Sequence, residues 1–498
     1  MSGRNLSPLV ALAALGLGLF AGPVPARAVG PVVEMLASEA VTAGDLEDAR
    51  KLLAPLDDKV PLVAVVKAKL ALHECDCDRA AALLAQKGVV EEKDAGPLGE
   101  FARGCARSMA GTLLLRDDVH GVSVRFQDDA DAPLMPIIVD TVVRARDVLS
   151  ADLGVTWPRP TQIVMVRDHV SLSSLTGLPY EAARTTGTVA VAKWGRVTML
   201  SPRATGQGYP FRDTIAHELT HLAITRASLD QAPLWFQEGV AKREEVRWRP
   251  PSPFDDKPSA DAVARRGIEL KMDRQLDNMG PSLAMLPSAD EAQVAYAQVT
   301  SVINFIVDRS PPGTLGKLLT AMRTRSVDEA LVQVTGLSLG KWDPEWRGDL
   351  MRRKVTPLSR FLGLGGAAPP AIADSRDRIR LGELLLRRGH TQQANVELQK
   401  LPKEWLEDPK PRQLRARALE STPDAAWAAL GEPADLAAPS TAWWAQRGSL
   451  LLQRNDPAAP GAFEAGRALD PFLPKVACPP AFEAGPLCEA AKAWAFDD

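Results

Sequence analysis

Hydrophobic and polar positions change period along this chain, and the changes divide it. In the first hundred residues the apolar positions fall at helical spacing. AGDLEDARKLLAPL sets Gly44, Ala49, Leu53 and Leu56 on one stripe, and CDCDRAAALLAQ repeats the theme with Ala80 and Leu84. This predicts helical hairpins over 29–112, stacked as repeats. After that the period shortens. GVSVRF and TQIVMVRD read as short strands, with a helix over LMPIIVDTVVRARDVLSADLG between them. TTGTVAVAKWGRVTMLSP alternates like a hairpin with Lys193-Trp194-Gly195 near its turn. Strands first and helices after predict an α+β domain over 113–355.

APPAIADSRD, residues 368–377, reads as a linker region. The segment 356–498 beyond the domain returns to helical spacing. In RLGELLLRRGHTQQANVELQKLP, the positions Leu381, Gly382, Leu385, Gly389, Ala394, Leu398 and Leu401 resemble a tetratricopeptide repeat. Small residues there let two helices approach, and larger ones fill the gap. TAWWAQRGSLLLQRNDPAAPGAFEAGRALDP, with Trp444, Gly448, Ala468 and Pro471, is similar but one residue short. A generic helical bundle is the alternative.

Composition narrows the function. The 498 residues are 46% hydrophobic and 24% charged, with a net charge of −3. That is ordinary globular composition, with no basic field to hold nucleic acid. The first residues, MSGRNLSPLVALAALGLGLFAGPVPARA, combine Arg4, an apolar run from Leu9 to Ala21 and an Ala26-Arg27-Ala28 cleavage pattern. They read as a signal peptide over 1–28, because the run is shorter than the ~20 residues a spanning helix needs. The expectation is an exported protein, periplasmic or extracellular, with no stable membrane span once the signal is removed. Export permits disulfides. Cys478 and Cys488 bracket a Pro- and Gly-containing loop and are expected to pair, while Cys75 and Cys77 compete for Cys105.

The candidate chemistry lies in FRDTIAHELTHLAITRASLDQAPLWFQEGVAKREE, residues 211–245. Residues four apart on a helix point the same way, so His217 and His221 can take two corners of a zinc tetrahedron. Glu218 then reaches a water at the metal. A catalytic zinc commonly takes a third protein ligand. The metzincin pattern fails, because Ile224 and Ala227 stand where it requires Gly and His. Asp230, Glu238, Glu244 and Glu245 remain. Asp230 comes before a second helix can return to the metal. Glu238 is the simplest choice: Pro233 can open a helix, Trp235 and Phe236 bury it, and Gly239 and Ala241 allow close packing on the HELTH helix.

HELTH followed by WFQEGVA resembles the gluzincin zinc peptidases, in particular the peptidase-MA-like proteins. The likeness extends over about 240 residues, through the strands and hairpin and on to AYAQVTSVINFIVDRSPPGTLGKLL. The resemblance implies an α+β gluzincin-like domain flanked by mostly α-helical repeat regions. It implies one Zn2+ per chain held by His217, His221 and Glu238, with Glu218 as the acid/base and a peptide or protein substrate. It implies a hairpin edge strand around Val197 to Leu200 along which a peptide lies as an added strand. Tyr296 falls where the resemblance puts a helix returning to the site, so its hydroxyl is the candidate oxyanion donor, with a buried core aromatic as the alternative. One position departs. Some gluzincins carry an acid four residues after the ligand Glu, supporting a zinc-bound His, and here that place holds Lys242. Two further readings stand beside the enzyme: an inactive peptidase-fold scaffold that binds protein partners through the repeats, and a cell-envelope assembly factor using both functions.

Overall fold

The computed structural model describes residues 26–498 apart from 93–94, 158–159, 206–207, 277–278, 280–282, 360–363, 365–370, 481–484 and 495–498. Residues 1–25 of the expected signal peptide, and part of the expected linker, lie outside the described residues. A helix, Ala26–Ala43, already runs through the expected cleavage point. No described helix is long and apolar enough to cross a membrane.

The chain forms two compact units that divide between Ala106 and Arg107, within the helix Ala95–Met109. The first contains two helix pairs, Ala26–Ala43 with Leu46–Leu53 and Pro61–His73 with Cys77–Leu84. Each pair turns on a residue with positive φ followed by an Asp, Gly44-Asp45 and then Cys75-Asp76. Ala49, Leu53, Ala80 and Leu84 are all buried, as their spacing predicts. Cys77, not Cys75, forms the disulfide with Cys105.

The second unit holds a five-stranded mixed sheet ordered β1-β2-β3-β5-β4, where β1 is Leu113–Asp117, β2 Val122–Phe126, β3 Thr161–Val166, β4 Ala190–Lys193 and β5 Arg196–Leu200. β2, β3 and β5 run parallel, and β1 and β4 close the two edges antiparallel. The pattern above omits β1, whose LLLRD does not alternate. The β4–β5 hairpin turns on Trp194 and Gly195, both at positive φ, which is the primed turn that matches strand twist.

Strand order corrects one expectation. Val197–Leu200 belongs to β5, which is interior, so the free edge of the hairpin is β4. The Leu200 N–H donates to the Val189 carbonyl, and pairing alternates from there. The backbone groups of Ala190 and Ala192 therefore face away from β5.

The helix Met135–Leu153 packs on the sheet and on the HELTH helix, Phe211–Ser228. Arg146 pins it, bonding the Thr161 hydroxyl and the carbonyls of His120 and Gly121. One large core joins these elements to the helices Leu234–Glu244 and Ala289–Asp308.

The C-terminal hairpins belong to this same unit. Three consecutive helix pairs stack: Ile372–Arg387 with Thr391–Gln399, Pro409–Ala418 with Pro423–Leu430, and Thr441–Gln453 with Ala459–Arg467. The linker read over 368–377 is corrected in its second half, where the first of these helices begins at Ile372. Close approach explains the small residues. A Cβ on Gly382 would meet Leu398 Cγ at 2.8 Å, and one on Gly448 would meet Phe463 Cε1 at 2.7 Å. Cys478 and Cys488 are bonded, as their loop predicts.

Candidate metal centre

Two helices build the site. The HELTH helix starts after Pro210 with Asp213 in its first turn, where a negative charge complements the helix dipole. Asp213 also accepts from Trp248 Nε1 at 3.0 Å and Arg249 Nε at 2.8 Å, which ties this end to the segment after the second helix. Ile215, Leu219 and Ala223 are buried and fix the helix rotation. The second helix, Leu234–Glu244, follows Pro233 and is anchored by the buried rings of Trp235 and Phe236.

Gly239 is the close-packing position, but its neighbour is not the HELTH helix. A Cβ there would lie 2.5 Å from Ile303 Cγ1 and 2.6 Å from the Val299 carbonyl oxygen. The glycine thus admits the helix Ala289–Asp308, which carries Tyr296. Arg243 Nη1 donates to Asn304 Oδ1 at 2.7 Å across the same contact.

Three donor atoms meet. His217 Nε2 and His221 Nε2 are 3.3 Å apart, and Glu238 Oε2 lies 3.5 Å from each. Bonds of about 2.0–2.1 Å in a zinc tetrahedron separate neighbouring ligand atoms by about 3.3–3.4 Å. The triangle therefore has the size of one face of that tetrahedron. Glu238 Oε2 is buried without a hydrogen-bond partner, a costly arrangement for a carboxylate unless a cation completes it. On both counts the residues fit a zinc ion. Among the described residues, the group whose donor atoms lie close enough to hold a metal ion is His217, His221 and Glu238, and the other acids do not join it. Asp230 is exposed and takes a hydrogen bond from Thr225, and Glu244 pairs with Arg247.

Around this triangle the charges are arranged. His217 Nδ1 donates to Glu245 Oε2 at 3.0 Å, so in the neutral ring Nε2 keeps its lone pair for the shared point. Glu245, rather than residue 242, is the acid that meets His217. It stands seven residues after Glu238, on the same helical face, and Lys242 Nζ holds its other oxygen at 2.6 Å. Burial pushes Glu245 up, but Lys242 and His217 outweigh it and hold it below the usual carboxylate range. Burial alone would lower His217, yet the facing carboxylates of Glu238 and Glu245 push it up to about 10 when no cation stands between them. Those carboxylates make the centre a strong trap for positive charge.

Glu218 is buried beside the triangle. Burial raises its pKa, and the neighbouring histidines pull the other way. The Ala192 N–H, on the outward face of β4, donates to its carboxylate. The free edge of the sheet is thereby held against the HELTH helix. Tyr296 is half-buried, packed against the core, and without a hydrogen-bond partner for its hydroxyl among the described residues. Burial and the charges of Glu238, Glu218 and Glu245 raise its pKa well above the ordinary value, which keeps it a donor. The helical spacing missed Tyr209, whose hydroxyl donates to the Leu200 carbonyl and whose N–H donates to Leu469 O at 2.8 Å.

No known protein family matches the chain, and no curated protein shows significant similarity to it.

Proposed function

We propose that the chain is an exported zinc metallopeptidase of the gluzincin type, with His217, His221 and Glu238 as metal ligands and Glu218 as the general acid/base. The observation that supports it most is the partly buried triangle of three lone-pair donors, of zinc-tetrahedron size, with a buried carboxylate next to it in HELTH. Zinc, when bound there, supplies Lewis acidity toward a scissile carbonyl and a water. Glu218 takes a proton at its carboxylate and passes it to the leaving amine, a role suited to an acid whose pKa burial has raised. Tyr296, neutral and with a free hydroxyl, donates to the oxygen on which negative charge develops. The outward backbone groups of β4 offer a peptide an added-strand position once Glu218 releases the Ala192 N–H. Two disulfides suit an oxidising compartment. The helical hairpins resemble tetratricopeptide repeats and offer a surface for a protein partner.

Zinc content and proteome-wide cleavage profiles of the wild type and Glu218→Gln test the reading. One zinc in each, with cleavage in the wild type alone, is the expected result. A zinc-loaded Glu218→Gln protein with full hydrolytic activity refutes the mechanism, and a zinc-loaded wild type that cleaves nothing favours the scaffold.

A further inference from the structure

His217 is the ligand whose far side is fully built. Its Nδ1 meets Glu245 Oε2 at 3.0 Å, and Glu245 Oε1 meets Lys242 Nζ at 2.6 Å. Both partners come from the end of the helix that also supplies Glu238. The Glu245 side chain is 20% exposed and that of Lys242 36%, so the chain of contacts runs from the solvent edge to the ring. His221 has no such arrangement among the contacts described. The nearby charges also balance. Glu218, Glu238 and Glu245 are negative and Lys242 is positive, so a divalent cation between neutral imidazoles brings the buried cluster to neutrality.

We propose that Glu245 is a positioning residue for His217 and that Lys242 restrains it, so that removing the two side chains moves metal affinity in opposite directions. Glu245 fixes the ring with the proton on Nδ1 and Nε2 aimed at the shared point. Its negative charge makes the imidazole a stronger donor. Lys242 draws that charge toward itself and adds a repulsive positive charge near the cation, weakening the same donor. An acid placed directly at position 242 would lack this restraint. The inference rests on the zinc reading of the triangle.

Zinc affinity of the full-length protein, measured by competition with a chromophoric chelator, tests it. Glu245→Gln preserves shape, removes the charge and leaves Lys242 unopposed, so affinity falls by about 10–100-fold. Lys242→Met keeps Glu245 and removes the repulsion, so affinity rises, on the order of 3–10-fold. The double variant binds more tightly than Glu245→Gln alone. With cobalt in place of zinc, both single variants shift the visible absorption bands at unchanged stoichiometry, which loss of a merely structural contact would not do. Should Glu245→Gln fail to fold, Lys242→Met at the solvent edge decides the matter alone. A wild type that binds one zinc, with Lys242→Met equal to it or weaker, overturns the inference and leaves the zinc reading intact. A wild type that takes up no zinc overturns the zinc reading itself, and the inference with it.

Discussion

Single side chains set the chemistry of the centre, and each has a separable effect. Glu238 contributes one of three donor atoms, so Glu238→Ala leaves two imidazoles and a site of poor affinity. Glu244 faces Arg247 and Asp152 instead. Metal analysis after dialysis is expected to show zinc lost from Glu238→Ala and retained by Glu244→Ala. Tyr296→Phe removes a hydroxyl that bonds to nothing described, so the fold and zinc content are expected to survive. If the hydroxyl donates only in the transition state, kcat falls by roughly 10²–10³ with KM little changed. An unaltered kcat returns Tyr296 to the core. Glu244 carries a pH signature of its own. Its buried carboxyl is pushed up to about 7, with Arg247 opposing the burial. A raised folded-state pKa means stability that is complete below the ordinary value of 4.5 and lost as pH rises through about 7. Thermal melting of Glu244→Gln across that window should fall less with pH than that of the wild type.

At the scale of elements, the centre depends on how closely three helices lie. The HELTH helix presents His217, Glu218 and His221, and the helix Leu234–Glu244 brings Glu238. The helix Ala289–Asp308 brings Tyr296 and sits against Gly239. A Cβ at Gly239 meets backbone at 2.6 Å, which cannot rotate away. Gly239→Ala should therefore push these two helices apart and cost about 1–3 kcal/mol, read by chemical denaturation. Zinc affinity should fall with it, because Glu238 is the preceding residue.

In the second unit as a whole, the helical hairpins are not an appendage. Gly208, with φ of 70°, brings the segment before the HELTH helix so near Leu469 that a Cβ would lie 2.2 Å from its carbonyl oxygen. The next N–H, that of Tyr209, donates to that same oxygen. Phe472 is buried in the core that contains the sheet and both helices of the candidate site, and Arg203 covers its ring with 5.0 Å to the centroid. Phe472→Ala should destabilise the proposed metal centre from some 250 residues away in sequence, by about 3–5 kcal/mol. Melting with and without added zinc checks this. A variant whose zinc-dependent transition is unmoved would mean that the hairpins fold independently of the site.

Much of this was legible in the chain, and the reason is locality. Helix and strand periods need only neighbouring residues, so the helix Met135–Leu153, the β4–β5 hairpin and the paired C-terminal helices follow from their patterns. His217 and His221 are one helical turn apart, and Glu245 is two turns from Glu238, so each pair's shared face can be read from numbering alone. Three features needed the tertiary structure. Which strand is the edge depends on sheet order, and that order makes β4 the edge where the resemblance pointed to β5. Which helix meets Gly239 depends on how three helices assemble, and that choice replaced the HELTH helix with the Tyr296 helix. The support for His217 passed from the empty acid position at Lys242 to Glu245, because hydrogen bonding depends on distance in space. The sequence determined the donor types and their helical faces. Only packing, which brings together residues far apart in the chain, decided where those faces converge.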